Sequence, residues 1–333
     1  MRIILRKSFF LIAAFFSFMF ASCLPFGNNR KDPIRIGFSY SGRQTEPYYS
    51  NNLSIVKSFS DDPRYTLSEF SANEDLTEQI ISIYNLMSRG VDFMIIDPVS
   101  EHGLENAIEN LSLNRIPVIL TCGTVRYDHS ECCTIIHEVY CDYYKEAKSA
   151  VECLELYEKG KSNVNICVFN DTADTTSTRE RMKALNEGIE KNKGWNIISR
   201  RETNGEYEKA KFLMNELYEN QEVIDAVFVE SEKDYLGVID ILFKYGKMPG
   251  EDVYIFVFEE TPQIRRMVNS NVVNFAVQCT KDNGVMIRDI IEKISRGKSF
   301  VGKNITDSTF LYSNKAIDET MRSRQDRFFS NVF

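Results

Sequence analysis

The stretch Gly90-Val-Asp-Phe-Met-Ile-Ile-Asp-Pro-Val99 constrains this chain more than any other. Alternate residues of a strand point to opposite faces, so Val91, Phe93 and Ile95 line one face and Met94 and Ile96 the other. Both faces are apolar, which is the requirement of a parallel strand covered by helices on both sides. Before it, Leu76, Ile80, Ile83, Tyr84 and Met87 recur at helical spacing; Asn73 is the expected N-cap, and Gly90 follows the last turn. After it, Pro98 stops the strand, a helix carries Leu104, Ala107, Ile108 and Leu111, and Ile116-Pro-Val-Ile-Leu-Thr121 reads as the next buried strand. Helix, strand, helix, strand implies right-handed crossovers onto one parallel sheet. Ligands of such sheets sit beyond the carboxyl ends of the strands, which directs attention to residues 97–101 and 121–125.

The same alternation runs through the rest of the chain. Strands are expected at 34–39, 66–70, 135–136, 164–169, 195–199, 224–229, 253–258 and 272–277, with helices between them. The fold class is therefore α/β: two Rossmann-like, doubly wound parallel-sheet lobes. A net charge of −8 lacks the basic footprint that a nucleic-acid partner requires.

The N-terminus reads as an export signal. Arg2, Arg6 and Lys7 precede an apolar run from Phe9 to Phe20, and small residues follow. Cleavage, or retention as a short anchor, are both open on that pattern alone. Phe20-Ala-Ser-Cys23 resembles the bacterial lipobox, with Phe20 in place of the usual Leu. That resemblance implies a signal peptide over 1–22, lipidation at Cys23, a tether over 23–33, and acyl chains holding the protein to a membrane, each buried methylene contributing ~0.8 kcal/mol. With Cys23 acylated, seven of the eight cysteines remain. Cys122, Cys141, Cys153, Cys167 and Cys279 lie in or beside core elements and read as small buried hydrophobes. Disulfides are open to an exported chain, but their pairing is not readable from sequence. No CxxC pair occurs among the eight cysteines, and with three histidines no metal site is expected.

Several segments together resemble the type I periplasmic sugar-binding proteins of the ribose- and galactose-binding group. They are Ile36-Gly-Phe-Ser39, Pro47-Tyr-Tyr49, Gly90 to Pro98, Ile116-Pro-Val-Ile119, Thr178-Arg-Glu-Arg181, Asp225-Ala-Val-Phe228, Phe258-Glu-Glu-Thr-Pro262 and Gln278. The resemblance implies a three-crossing hinge near 137–140, 278–281 and 304–308. Lobe 1 would comprise 34–138 with 280–305, lobe 2 would comprise 139–279 with 306–320, and 321–333 would form a tail. The last helix would return to pack on lobe 1.

It also implies a site. Tyr48 and Tyr49 fall at the stacking positions of the first lobe, with Glu46 beside them. Arg179 falls at the hydroxyl-binding arginine of the second lobe, Gln278 at the hinge-side glutamine, Glu259 at a position usually held by Asp, and Ser231 at one usually held by Asn. Tyr207 is a candidate ring for the second lobe. Cys122-Gly123 departs from the family's Asp-Arg, and the charge-assisted bonds of that pair are lost with it. No cofactor is implied and no catalytic motif is present, so no enzyme is expected. The implied protein is a lipid-anchored monomer, exported to the periplasmic or cell-surface side of a membrane. It would deliver a sugar-like solute to an ABC permease or, in the alternative, signal to a sensor kinase or chemoreceptor.

Overall fold

A computed structural model describes residues 32–43, 48–126, 135–158, 161–172, 174–279, 283–298 and 302–313. The first sheet is built from β1 (Ile34–Tyr40), β2 (Tyr65–Ser71), β3 (Phe93–Ile96), β4 (Val118–Thr121), β5 (Ile135–Cys141) and β11 (Gly302–Thr306), in the order β11-β5-β4-β3-β1-β2. Its helices are α1 (Tyr48–Ser60), α2 (Leu76–Ser88), α3 (Glu105–Leu113) and α9 (Asn283–Ser295). The second sheet is built from β6 (Val164–Asn170), β7 (Trp195–Glu202), β8 (Ala226–Val229), β9 (Tyr254–Val257), β10 (Phe275–Gln278) and β12 (Thr309–Tyr312), in the order β12-β10-β9-β8-β6-β7. Its helices are α4 (Tyr143–Tyr157), α5 (Thr176–Lys191), α6 (Tyr207–Glu219), α7 (Glu232–Lys244) and α8 (Pro262–Asn269).

Phe93, Met94, Ile95 and Ile96 of β3 are all fully buried, as two-sided coverage demands. Met94 and Ile96 pack into the layer holding α2 and α3. Phe93 and Ile95 pack on the other face with Ile55, Phe59, Ile287, Ile290 and Ile291. The last of these residues belong to α9, which returns from the second lobe to pack on α1. Gly284 makes that approach possible: a Cβ there would stand 2.3 Å from the Ser54 carbonyl oxygen.

Three local readings need correction. The N-cap of α2 is Asp75, which accepts from the Glu78 N–H at 2.9 Å. Asn73 and Glu74 both have positive φ, so the chain is still turning there. Tyr84 turns outward, while Gln79 and Ser82 take buried positions because they tie down strand ends. Gln79 bonds the Asp97 carbonyl at 2.7 Å and the Val99 N–H at 2.8 Å, and Ser82 meets Ser39 at 2.6 Å. The second sheet is also not wholly parallel, since β12 runs antiparallel to β10. The cause is direction. β10 and β11 both run toward the hinge, and β12 leaves it only two residues after β11.

The hinge carries a covalent tie. β5 stays paired with β11 through Cys141, beyond the expected boundary at 138. Cys141 and Cys279, at the ends of β5 and β10, form a disulfide with their Cα atoms 6.0 Å apart. The third crossing rests against it, with the Thr306 hydroxyl 3.4 Å from the Cys141 sulfur. Cys122, Cys153 and Cys167 are free and buried, whereas Cys132 and Cys133 lie outside the described residues, as do Cys23, the tether up to residue 31 and the tail.

Candidate ligand-binding cleft

The strand ends of both sheets meet at the hinge, and the loops that follow them form the facing walls of a cleft. In the first lobe, Asp97 follows β3. One carboxylate oxygen accepts from the Ser41 hydroxyl at 2.6 Å and the Ser41 N–H at 3.2 Å, and burial raises its pKa above the ordinary carboxylate range. Asn51, in the first turn of α1, donates to Thr121 Oγ1 at 3.2 Å and to Cys122 Sγ at 3.0 Å. Tyr48, which opens α1, is buried, and burial pushes its hydroxyl up to about 12. The Arg43 guanidinium lies 4.9 Å over its ring.

In the second lobe, the centre is Arg181 on α5. Its Nη2 donates to Glu146 Oε2 at 2.9 Å and its Nη1 to Glu230 Oε1 at 3.3 Å. The rings of Phe258 and Tyr143 flank it at 4.7 and 5.1 Å. Glu230 also accepts from the Asp171 N–H at 2.9 Å and from Thr178 Oγ1 at 3.0 Å. Glu146 accepts from Ser308 at 2.7 Å, which wires this network to the third hinge crossing. Beside Glu230 lie the carboxyls of Asp171 and Asp234, buried and close enough to repel one another. Burial and mutual repulsion raise Asp171 well above its ordinary value, and burial pushes Asp234 up to about 6.

The walls touch. Tyr48 Oη meets Ser177 Oγ at 3.0 Å, the Thr124 N–H donates to Thr176 Oγ1 at 2.8 Å, and Tyr143 Oη donates to the Cys122 carbonyl at 2.8 Å. At the rim, Glu101 accepts from Thr176 at 2.6 Å and from Arg179 at 2.8 Å, and Asp174 accepts from Ser100 and pairs with His102 at 2.7 Å. Between the walls remains a cavity of about 10 Å³, lined among others by Arg43, Tyr48, Asp171, Arg181, Glu230 and Phe258. That is room for about one water.

These placements refine the sequence-derived site. Tyr48 lines the cavity, but Tyr49, one residue further round the helix, is 44% exposed. Glu46 lies outside the described residues. Arg179 sits at the rim, joined to Glu101 across the lobes and to Glu180 at 3.0 Å, while Arg181 enters the cavity. Residues two apart on a helix point about 200° away from each other, so only one of this pair can face inward. Thr175, which caps the helix through the Thr178 N–H, sets which one. Ser231 and Glu259 are buried at the strand ends, and both serve the first turn of α7. The Ser231 hydroxyl accepts from the Asp234 N–H at 3.2 Å and the Glu259 carboxylate from the Glu232 N–H. Gln278 ends β10, half-buried, next to the disulfide. Tyr207 faces α7, bonding Asp240, and is not part of the cleft.

Cys122-Gly123 has its own geometry. Cys122 adopts φ 59°, a strained left-handed conformation, and a Cβ at Gly123 would come within 3.2 Å of Thr176 Oγ1. A long side chain at 123 would hold the lobes apart here. Arg43, Asp97, Glu101, Glu146, Arg181 and Glu230 were not singled out from sequence as site residues. Positional signals did exist for some of them, since 97–101 was a flagged strand end and Arg181 belongs to a quoted motif.

Residues 36–299 match the model of the periplasmic binding protein domain. The chain belongs to this family. It is a family of binding proteins rather than enzymes. The galactofuranose-binding protein YtfQ of Escherichia coli is 22% identical over 296 residues, covering 88% of this chain and 92% of the relative. Among solved structures, the binding-protein component of the arabinose ABC transporter of Shewanella sp. ANA-3, bound to L-arabinofuranose, superposes with a TM-score of 0.75 at 19% identity. It covers 90% of this chain and 97% of its own. The fructose-binding periplasmic domain of the hybrid two-component system BT1754 superposes with a TM-score of 0.74 at 17% identity, covering 90% and 98%. The type I fold with two sheet-centred lobes is common to this chain and these two structures.

Proposed function

We propose that this chain is an exported lipoprotein, anchored through Cys23, that binds a sugar or sugar-like small solute between its lobes and hands it to an ABC importer when the hinge closes. The lobes would divide near 138 and 279, with the returning segments 280–305 and 306–320. The observation that carries this reading is the pair of facing walls. An aromatic ring, Tyr48, stands on one side. A fixed arginine and carboxylates stand on the other, and both are joined to the hinge. Rings cover the apolar face of a sugar, while bidentate groups orient its hydroxyls. Closure driven by better contacts in the closed form supplies the signal to a membrane partner. The relatives support the solute class, because those proteins bind galactofuranose, arabinofuranose and fructose.

The test is a melting screen of the mature protein against furanoses, pyranoses and polyols. A ligand at a hundred times its Kd stabilises by about 2.7 kcal/mol, so a binder raises the melting temperature clearly. A panel without any shift refutes the reading. A second reading, ligand sensing, is favoured by the likeness to a two-component periplasmic domain. Crosslinking of the closed form to a permease supports import, whereas crosslinking to a kinase or chemoreceptor supports sensing.

A further inference from the structure

The rim of the cleft is built as an exchange between the lobes. Glu101, in the loop after β3, is 2% exposed, and both its carboxylate oxygens are bonded by the other lobe. Its Oε1 accepts from Thr176 Oγ1 at 2.6 Å and its Oε2 from Arg179 Nη1 at 2.8 Å. Asp174, in the segment that enters α5, is held in the reverse sense, by the Ser100 hydroxyl and by His102 Nδ1 at 2.7 Å. The backbones meet as well, the Glu101 N–H donating to the Asp174 carbonyl at 3.1 Å. Hydrogen bonds to a carboxylate are the strong class, and here each lobe contributes one carboxylate and receives one.

The spacing that these bonds impose excludes a sugar. The cavity between the walls measures about 10 Å³, whereas small-molecule sites run to roughly 300–1,000 Å³. Its lining includes Tyr48 from one wall and Thr175, Ser177 and Arg181 from the other, and Tyr48 Oη already meets Ser177 Oγ at 3.0 Å. Arg181 is clamped by Glu146 and Glu230, so room for a solute comes from parting Tyr48 and Ser177. Ser177 does not move alone. It bonds Thr175 at 3.1 Å, and Thr175 caps α5 through the Thr178 N–H at 3.3 Å. Thr176 and Arg179 belong to that same first turn. The turn that must lift off Tyr48 to admit a solute is therefore the turn that grips Glu101.

We propose, on the reading of the cleft as a solute site, that the exchange between Glu101 and Asp174 is an autoinhibitory latch: it fixes a narrow form that shuts solute out, and the solute competes with it. A rim that clamps a bound solute has the opposite sign, because cutting it weakens binding. Under competition the apparent affinity is reduced by the fraction of molecules held narrow, and cutting the latch restores it. The test is E101A/D174A in the full mature chain. Without solute, small-angle scattering is expected to give a larger radius of gyration than the wild type, and an unchanged radius overturns the latch. Isothermal titration then uses D-galactose, L-arabinose and D-fructose as probes. Whichever of them binds is expected to bind the variant about tenfold more tightly than the wild type. Equal or weaker binding overturns the proposal and makes the rim a clamp. Expansion without binding of any of the three sugars supports the latch and counts against the sugar reading instead. R179A, which removes a half-exposed side chain, keeps the test decisive if the double variant does not fold. Its expected gain in affinity is about twofold, and unchanged or weakened binding overturns the proposal.

Discussion

The two walls of the cleft are built on opposite plans. The second lobe presents a charged, closely bonded floor in which Arg181, Glu146 and Glu230 are nearly inaccessible and hold one another, with the hinge residue Ser308 as a further anchor. The first lobe presents mainly neutral groups, Ser41, Asn51, Thr121, Cys122 and Tyr48, with Asp97 and Arg43 among them. Buried charges must be paired or they destabilise the fold, so the second wall cannot rearrange cheaply. The neutral hydrogen bonds of the first wall can be exchanged at lower cost. One wall therefore acts as the fixed template and the other as the adaptable jaw.

The largest effect is expected from breaking the template. R181A leaves Glu146 and Glu230 buried without their cation and should cost roughly 3–5 kcal/mol, read from urea unfolding. A loss below about 1 kcal/mol would mean that the second wall is no more rigid than the first. Next comes the tie between the walls. C141S or C279S removes a crosslink between residues 138 apart in sequence and should cost about 2–5 kcal/mol. Wild type under reducing agent should approach the variants' stability. If it does not, the disulfide does not bear on the folding equilibrium.

A smaller effect is expected from pH. The carboxyl of Asp234 is pushed up to about 6, and burial raises that of Asp171 well above its ordinary value. The folded chain thus retains protons that the unfolded chain releases near pH 4. Their stabilising contribution is complete below that value and is lost as pH rises through the folded values. Between pH 4 and 7 the wild type should lose on the order of 2–3 kcal/mol relative to D234N. Parallel pH profiles would assign the strain in the second wall to other groups. The smallest effect belongs to the rim. R179A removes a half-exposed pair with Glu101 and should change stability by about 1 kcal/mol or less, while shifting small-angle scattering toward the open form. An unchanged scattering profile would show that the inner contacts alone hold the lobes together.

Sheet architecture was legible because burial on two faces leaves a simple imprint. The apolar run at 93–96, the crossover helices and the strand ends at 97–101 and 121–125 could all be placed from local pattern. The site was only partly legible. The family resemblance points equally to Tyr48 and to its neighbour Tyr49, yet Tyr48 is buried and Tyr49 faces solvent. Gln79 and Ser82 hid inside a helix because their work is to bond strand-end backbone and the Ser39 hydroxyl respectively, which leaves no periodic trace.

What the sequence determined by itself was the alternation of strand and helix, and with it two similar sheet-centred lobes, because period and burial are local properties. What only the tertiary structure decided was which members of chemically similar sets do the work. Arg181 rather than Arg179 enters the cleft because a helix cap fixes rotation to within a residue. Cys141 pairs with Cys279 because β5 and β10 end side by side at the hinge, a proximity that exists only once both sheets have formed.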